Sequence, residues 1–321
     1  MNSIFKWCLL LGMALSDYAF GDCSVVATNN AAFGSVSSIT VRTALQSSST
    51  TNAGLRCTKR PTTLTASDHF FANIAQGSGG MVGPTGDVIS YTIYGNNSTT
   101  YPLTRGAPFD FGGTSGIATS LGLIAGPGDK TLPLYLSSII GSNVAAGLYT
   151  ETLSIAWNWD YCSGGNNCQN RDTGSGTASL TVSMTVTNDC QITAPNISFG
   201  SAPVISAFSP VTGQTFNISC TKGSAYTVGL SDGQHVLSIG GRRRMISGSN
   251  YLQYDIFQSG GTTRWGSVGA ARRASATAEV NAGNGSGIAS QIFNFNAKVY
   301  TDQATPPGGT YLDNVVVDVA F

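Results

Sequence analysis

The stretch "GLSDG", residues 229–233, with His235 close behind it, is where this sequence comes nearest to a catalytic motif. Gly-x-Ser-x-Gly exposes a serine nucleophile when a strand turns sharply into a helix. Here the continuation is "QHVLSIGG", which reads as strand and loop, so the helix is missing and catalysis is not expected. His69 and His235 are the only histidines and lie far apart in the chain. "GSGGMVG", residues 77–83, matches a dinucleotide fingerprint poorly and has no helix after it. "RRR" at 242–244 and "RR" at 272–273 stand in a chain whose formal net charge is zero, so they read as solvated loops rather than a nucleic-acid surface. No metal, cofactor or enzyme activity is expected.

The elements holding these residues must be strands. Among 321 residues, 40 are Gly and only 10% are charged, and the sole glutamates are Glu151 and Glu279. Helices draw on Ala, Leu, Glu and Lys in periodic faces; short apolar alternations between Gly-, Ser- and Thr-rich turns specify all-β sandwiches. The length suits two domains. At the N-terminus, Lys6 and the nine-residue apolar run "WCLLLGMAL" predict a secretory signal over 1–21, cleaved before Asp22. No other run is apolar enough to span a membrane. Removing the leader takes Cys8 with it and leaves an even set of six cysteines, which in an exported chain predicts disulfides rather than a zinc set.

An internal repeat organises the rest. "DCSVVATNNAAFGSV", from Asp22, parallels "DCQITAPNISFGSA", from Asp189, and each is followed by a second cysteine in "RCTK" or "SCTK". "GLYTETLSIAW" at 147–157 parallels "GGTYLDNVVVDVAF" at 308–321. Two immunoglobulin-like sandwiches in tandem follow, over 22–187 and 188–321. The repeat pairs Cys23 with Cys57 and Cys190 with Cys220, leaving Cys162 with Cys168 to close a hairpin. Past the end of the shared pattern, the first copy adds one alternating strand, 178–187, with Leu180, Val182, Met184 and Val186 on one face. That strand is expected to complete the first domain in cis. The second domain has no equivalent, so an apolar groove and an unpaired sheet edge are expected there.

With these motifs the chain resembles the spore coat protein U-like pilins of archaic (Csu-type) chaperone–usher pili. The two Asp-Cys starts, the "FGS" stretches, "SCTK" and the terminal "GGTYLDNVVVDVAF" carry the resemblance over nearly all of the mature chain. It implies a periplasmic chaperone that lends a strand, an outer-membrane usher, and a next pilin subunit whose N-terminal strand replaces the chaperone's. Val315, Val317, Val319 and Phe321 are the implied groove residues. Only Asp22 stands between the expected cleavage site and Cys23, too little to donate a strand, which implies the far end of a fibre: a two-domain tip adhesin supporting biofilm formation.

Comparing the repeats, three loops are apolar in the first copy where the second is polar, charged or Pro-rich: Ala31–Ala32, Met81–Val82 and Val144, Ala145 and Ala146. By resemblance these are fingers that hold hydrophobic surfaces. They must then lie opposite the linker, which requires residues 160–177 to cross the domain so that 178–187 runs the other way. Two alternatives stay open: a coat or minor pilin subunit without a ligand, and a lectin whose Trp157, Trp159 and Tyr161 stack on sugar rings.

Overall fold

The computed structural model describes residues 22–321 except 59–63, 114–116, 118–128, 164–167 and 169. The expected leader, 1–21, and most of the loop between Cys162 and Cys168 lie outside the described residues. Two separate hydrophobic cores form, one from residues between Cys23 and Val186 and the other from residues between Cys190 and Val319. Each is enclosed by strands, as the alternation required. Among the described residues no helix is long and apolar enough to cross a membrane.

The strand Gly147–Cys162 shows how the pattern becomes structure. Tyr149, Leu153, Ile155, Trp157 and Tyr161 are at most 1% exposed, while the Thr, Ser and Asn between them face outward. Successive strand side chains point to opposite faces, so this sequence can bury only one of them. In the first sandwich the sheet runs Pro108–Asp110, His69–Ile74, Gly147–Cys162, Arg171–Thr187, Ala31–Ser37. A facing sheet is built around Leu134–Ser138 and Tyr91–Tyr94. In the second sandwich one sheet runs Cys190–Thr193, Val211–Cys220, Gln291–Val299, Asn250–Gln258, Arg243–Ser247. Its other sheet is short: Arg273–Ala274, Thr227–Leu230, Val317–Ala320.

The repeat extends to polar contacts. The Tyr149 hydroxyl donates to the Ala145 carbonyl at 2.8 Å, and the Tyr311 hydroxyl donates to the Pro307 carbonyl at 2.8 Å, each four residues back. Two residues beyond each tyrosine stands a carboxylate: Glu151 accepts from the Tyr91 hydroxyl at 2.6 Å, and Asp313 from the Tyr254 hydroxyl at 2.8 Å. Disulfides join Cys23 to Cys57, Cys162 to Cys168 and Cys190 to Cys220. The first and third link directly paired positions of neighbouring antiparallel strands.

The closing strand of the first sandwich differs from expectation in direction. Arg171–Thr187 returns as a plain antiparallel hairpin against Gly147–Cys162, in register from Cys162↔Arg171 to Gly147↔Val186. Its other edge pairs in parallel with Ala31–Ser37. No crossing segment intervenes, because a stretched 160–177 would forfeit ladder bonds that the hairpin makes locally. Leu180, Val182, Met184 and Val186 are all at most 2% exposed in the first core. The hairpin delivers Thr187 to the pole where Gly147 begins, and the second sandwich starts three residues later at Cys190.

Two outcomes follow. Leu180→Ala should lower the unfolding free energy of the first sandwich by about 3 kcal/mol, read by urea denaturation, while Ser179→Ala on the outward face should leave it within about 0.5 kcal/mol. Buried Glu151 accepts both Arg105 Nη atoms, at 2.7 and 2.9 Å. Burial pushes its carboxyl up, but Arg105, Tyr91 and Ser78 outweigh that and hold it below the ordinary carboxylate value. A depressed native value means the contribution is full above the unfolded-state pKa and is lost as pH falls through the native one. Stability of the first sandwich should therefore decline on acidification below about pH 4, with a shallower acid dependence in Glu151→Gln.

Candidate functional site

The second sandwich is open where the first is closed. Aligning Tyr311 with Tyr149 places Val315, Val317 and Val319 where the first copy has Leu153, Ile155 and Trp157. Those three counterparts are buried, whereas the valines are only half-buried and Phe321 is 55% exposed. Val315 and Val317 flank an open groove of about 410 Å³ whose floor includes Phe216, Leu230, Tyr254 and Ile256. One edge of Val317–Ala320 pairs with Thr227–Leu230, from Leu230↔Val317 to Thr227↔Ala320. Its opposite edge has no strand among the described residues.

The far wall of the groove makes the same point. "NAAFGS", residues 30–35, lies mostly within the strand Ala31–Ser37, held by Arg171–Thr187. Its repeat "NISFGS", residues 196–201, carries no strand. Gly34 and Gly200 share a left-handed backbone, φ 78° and 73°, so the local geometry is kept while the ladder is lost. The same motif is a strand where a partner lies beside it and is irregular where none does. An open sheet edge above a groove has the geometry that strand addition uses, in which backbone groups supply general affinity and pockets between alternate apolar side chains supply selection.

The three expected fingers do not form a tip. Ala31 is wholly buried and paired with Val182; Ala32 is exposed but sits inside the sheet, paired with Ser183. Met81 is wholly buried, Val82 is 37% exposed, and both belong to a small ladder with Val88–Ile89. Val144 and Ala145 are buried and Ala146 is half-buried. Because the closing hairpin brings the linker to their pole, the second and third of these loops lie toward the second sandwich. Asp87 accepts from Lys222 Nζ at 2.5 Å, Asn143 donates to the Ser286 carbonyl at 2.9 Å, and Ala145 forms a bridge with Lys222. Burial raises the Asp87 carboxyl pKa, but Lys222 and the Ala145 amide bring the net value below normal. Ser38 and Thr221 hydroxyls add a buried bond at 2.7 Å.

The opposite, distal pole carries the Cys162–Cys168 hairpin, the Cys23–Cys57 bridge, Gly113 and Asp129. Gly113 donates to the Asp68 carbonyl at 2.7 Å, and Asp129 pairs with Arg56 at 3.1 Å. Trp157 and Tyr161 are fully buried and Trp159 is 8% exposed, so these aromatics are core and offer no sugar platform. A different aromatic surface lies on the outer face nearby. His69 and Phe71 stack at 5.1 Å beside an open cleft of about 480 Å³ with Asn73, Asn158 and Asp160 around it. His69 Nδ1 lies 2.7 Å from Asp110 Oδ2.

The serine motif is structural. Ser231 Oγ accepts from the Val316 amide at 2.9 Å, the residues after it form turns rather than a helix, and the His235 ring lies 6.2 Å from Tyr251. Among the described residues no group of three His, Cys, Asp or Glu is placed to hold a metal.

A sandwich whose last strand has one open edge among the described residues, behind one whose matching strand is paired on both sides, defines a pilin-like class of protein. The chain belongs to the Spore Coat Protein U domain family, which matches residues 12–156 and 176–318, one match per repeat. Its fold is similar to that of a chain in the CsuC–CsuE chaperone–tip adhesion subunit pre-assembly complex from the archaic chaperone–usher Csu pili of Acinetobacter baumannii. Identity there is 27% and the TM-score 0.64, over 93% of this chain and 100% of that one. The CooA pilin subunit from enterotoxigenic Escherichia coli is similar at 10% identity and a TM-score of 0.30, over 52% of this chain and 99% of that one. No curated protein matches the sequence. These relatives are pilus subunits and adhesins, not enzymes.

If the groove accepts a strand, a copy of residues 171–187 appended to Phe321 through a flexible linker should fill it. Calorimetry should then show the second transition rising by on the order of 10 °C, with the gain abolished by Val317→Arg. An unchanged transition would count against the groove as an acceptor.

Proposed function

We propose that the chain is the terminal, adhesive subunit of a chaperone–usher pilus. A periplasmic chaperone strand occupies the groove of the second sandwich during export, the outer-membrane usher receives the complex, and the N-terminal strand of the next pilin subunit takes the chaperone's place. The observation that carries this reading is the asymmetry between the sheets: Arg171–Thr187 fills the first, and among the described residues no strand pairs with the second edge of Val317–Ala320. Tip position draws support from the likeness to the CsuC–CsuE complex, which spans both sandwiches.

In this reading the leading surface is the distal pole, not the loops around Met81 and Val144. Between Gly113 and Asp129 the sequence carries Leu121, Leu123 and Ile124, which lie outside the described residues. Attachment to hydrophobic surfaces, and biofilm formation with it, is assigned to the first sandwich, and these three apolar residues of its sequence supply the test. Changing all three to Thr should cut adhesion to polystyrene at least about tenfold, multiplied over many fibres per cell, with fibre numbers by immunogold unchanged. Full adhesion by fibres carrying the triple variant would sink the hydrophobic reading.

A second reading, carbohydrate binding, is favoured by the cleft beside His69 and Phe71, where an aromatic face adjoins amide and carboxylate side chains. It requires that free sugar compete and that Phe71→Ala abolish binding. Intact adhesion in every one of these variants would leave a coat or minor pilin subunit.

A further inference from the structure

The two sandwiches of this chain meet end to end, and the repeat maps that junction onto the free end of the second. In the first sandwich, the turn between Met81–Val82 and Val88–Ile89 and the loop before Gly147 face the second sandwich, through Asp87–Lys222 and Asn143–Ser286. Their repeats are the turn between Arg243–Ser247 and Asn250–Gln258 and the loop before Tyr311, as the matching pairs Val82↔Thr150 and Ile246↔Leu312 show. Residues 231–242, after Thr227–Leu230, reach the same base, where the last strand begins: the Gln234 amide donates to Asp313 at 2.9 Å, and Arg242 binds Asp302 through two bonds at 2.7 and 2.8 Å.

The base differs chemically from its counterpart. Its charges are already paired, with Arg242 also 3.7 Å above the Tyr300 ring and Asp232 bound to Arg264 at 2.7 Å. What it projects is apolar: Leu237 is 77% exposed and Ile239 is 88% exposed. Leu312, 67% exposed, adjoins through its bridge to Ile246. The loop is held in shape by bonds from the Gly240 amide to Asp232, from the Gly241 amide to the Ser238 carbonyl and from Arg244 to the His235 carbonyl. Two large apolar side chains on a fixed loop are arranged for a partner rather than for water.

The polarity of the groove says which partner. Arg171–Thr187 runs antiparallel to Gly147–Cys162 and leaves at the pole where that strand begins, with the second sandwich immediately beyond. A strand filling the second groove in the same sense leaves at the base, beside Leu237 and Ile239. The body of the subunit that supplied it must start there. Resting on the strand-accepting reading above, we propose that the 234–241 loop docks through Leu237 and Ile239 onto the body of the next pilin subunit, fixing the angle of this subunit on its fibre as the Asp87 and Asn143 contacts link the two sandwiches to each other.

The test uses purified pili carrying a photoreactive benzoylphenylalanine at position 237, 239 or 316, the last beside the free edge of the terminal strand. Capture of one pilin from all three positions supports the proposal, provided position 316 labels its N-terminal segment and positions 237 and 239 label residues beyond its first cysteine. If position 316 captures a pilin while 237 and 239 capture nothing, or only chaperone or usher, the docking surface is overturned and strand acceptance stands. If position 316 captures no pilin, the strand-accepting reading fails and takes this one with it. Leu237→Ser with Ile239→Ser removes only exposed side chains, so folding and fibre number should hold. Loss of this subunit from sheared fibres should rise at least about threefold, as an exposed apolar contact disappears; unchanged retention overturns the proposal.

Discussion

An unpaired sheet edge above an open core is the constraint on which the rest of this molecule depends. Each backbone amide and carbonyl along such an edge must find a partner, and each half-covered apolar side chain beneath it must find a neighbour. The first sandwich meets both demands with Arg171–Thr187, which satisfies the ladder on two sides and buries Leu180, Val182, Met184 and Val186. The second meets neither at Val317–Ala320. Two copies of one design, differing by a single strand, therefore present opposite edges: one last strand is paired on both sides, the other on one side among the described residues.

Much of this was legible in the sequence because the relevant signals are local. Alternation of Leu, Val and Met with Thr and Ser fixes which face of a strand is buried, whatever the strand pairs with. The Asp-Cys starts and the tyrosine–carboxylate spacing recur at matched positions, so one copy explains the other. The Tyr149–Glu151 and Tyr311–Asp313 pairs show how deep the repetition runs: hydroxyl and carboxylate partners are kept although the acid changes length and Arg105 joins only in the first copy.

What the sequence did not reveal was decided between distant segments. Met81 and Val144 look like exposed tips when loops are compared by composition alone. They are buried because both side chains turn into the core of the first sandwich, and no local pattern records that a loop residue faces inward. A signal for the hairpin was present, however. "GSG", residues 174–176, lies opposite "WNW", residues 157–159, with Gly174 facing Trp159 and Gly176 facing Trp157. A methyl group at Gly174 would fall 2.3 Å from the Trp159 ring, so the indole needs a bare backbone across from it. Glycines set two apart match tryptophans set two apart on a neighbouring strand, and the short connection between them allows the antiparallel hairpin. The candidate site divides the same way: the groove valines were readable from their period, while the cleft beside His69 and Phe71 depends on strands far apart in sequence.

The built-in strand also sets an order of events. The hairpin of residues 147–187 brings together neighbours in the chain, so the front sandwich holds all the parts of its fold before the rear one is finished. A chain emerging amino-terminus first completes its front sandwich from its own segments. Under the proposed reading escort is needed only for the rear, and a factor that guards this protein has half of it to recognise.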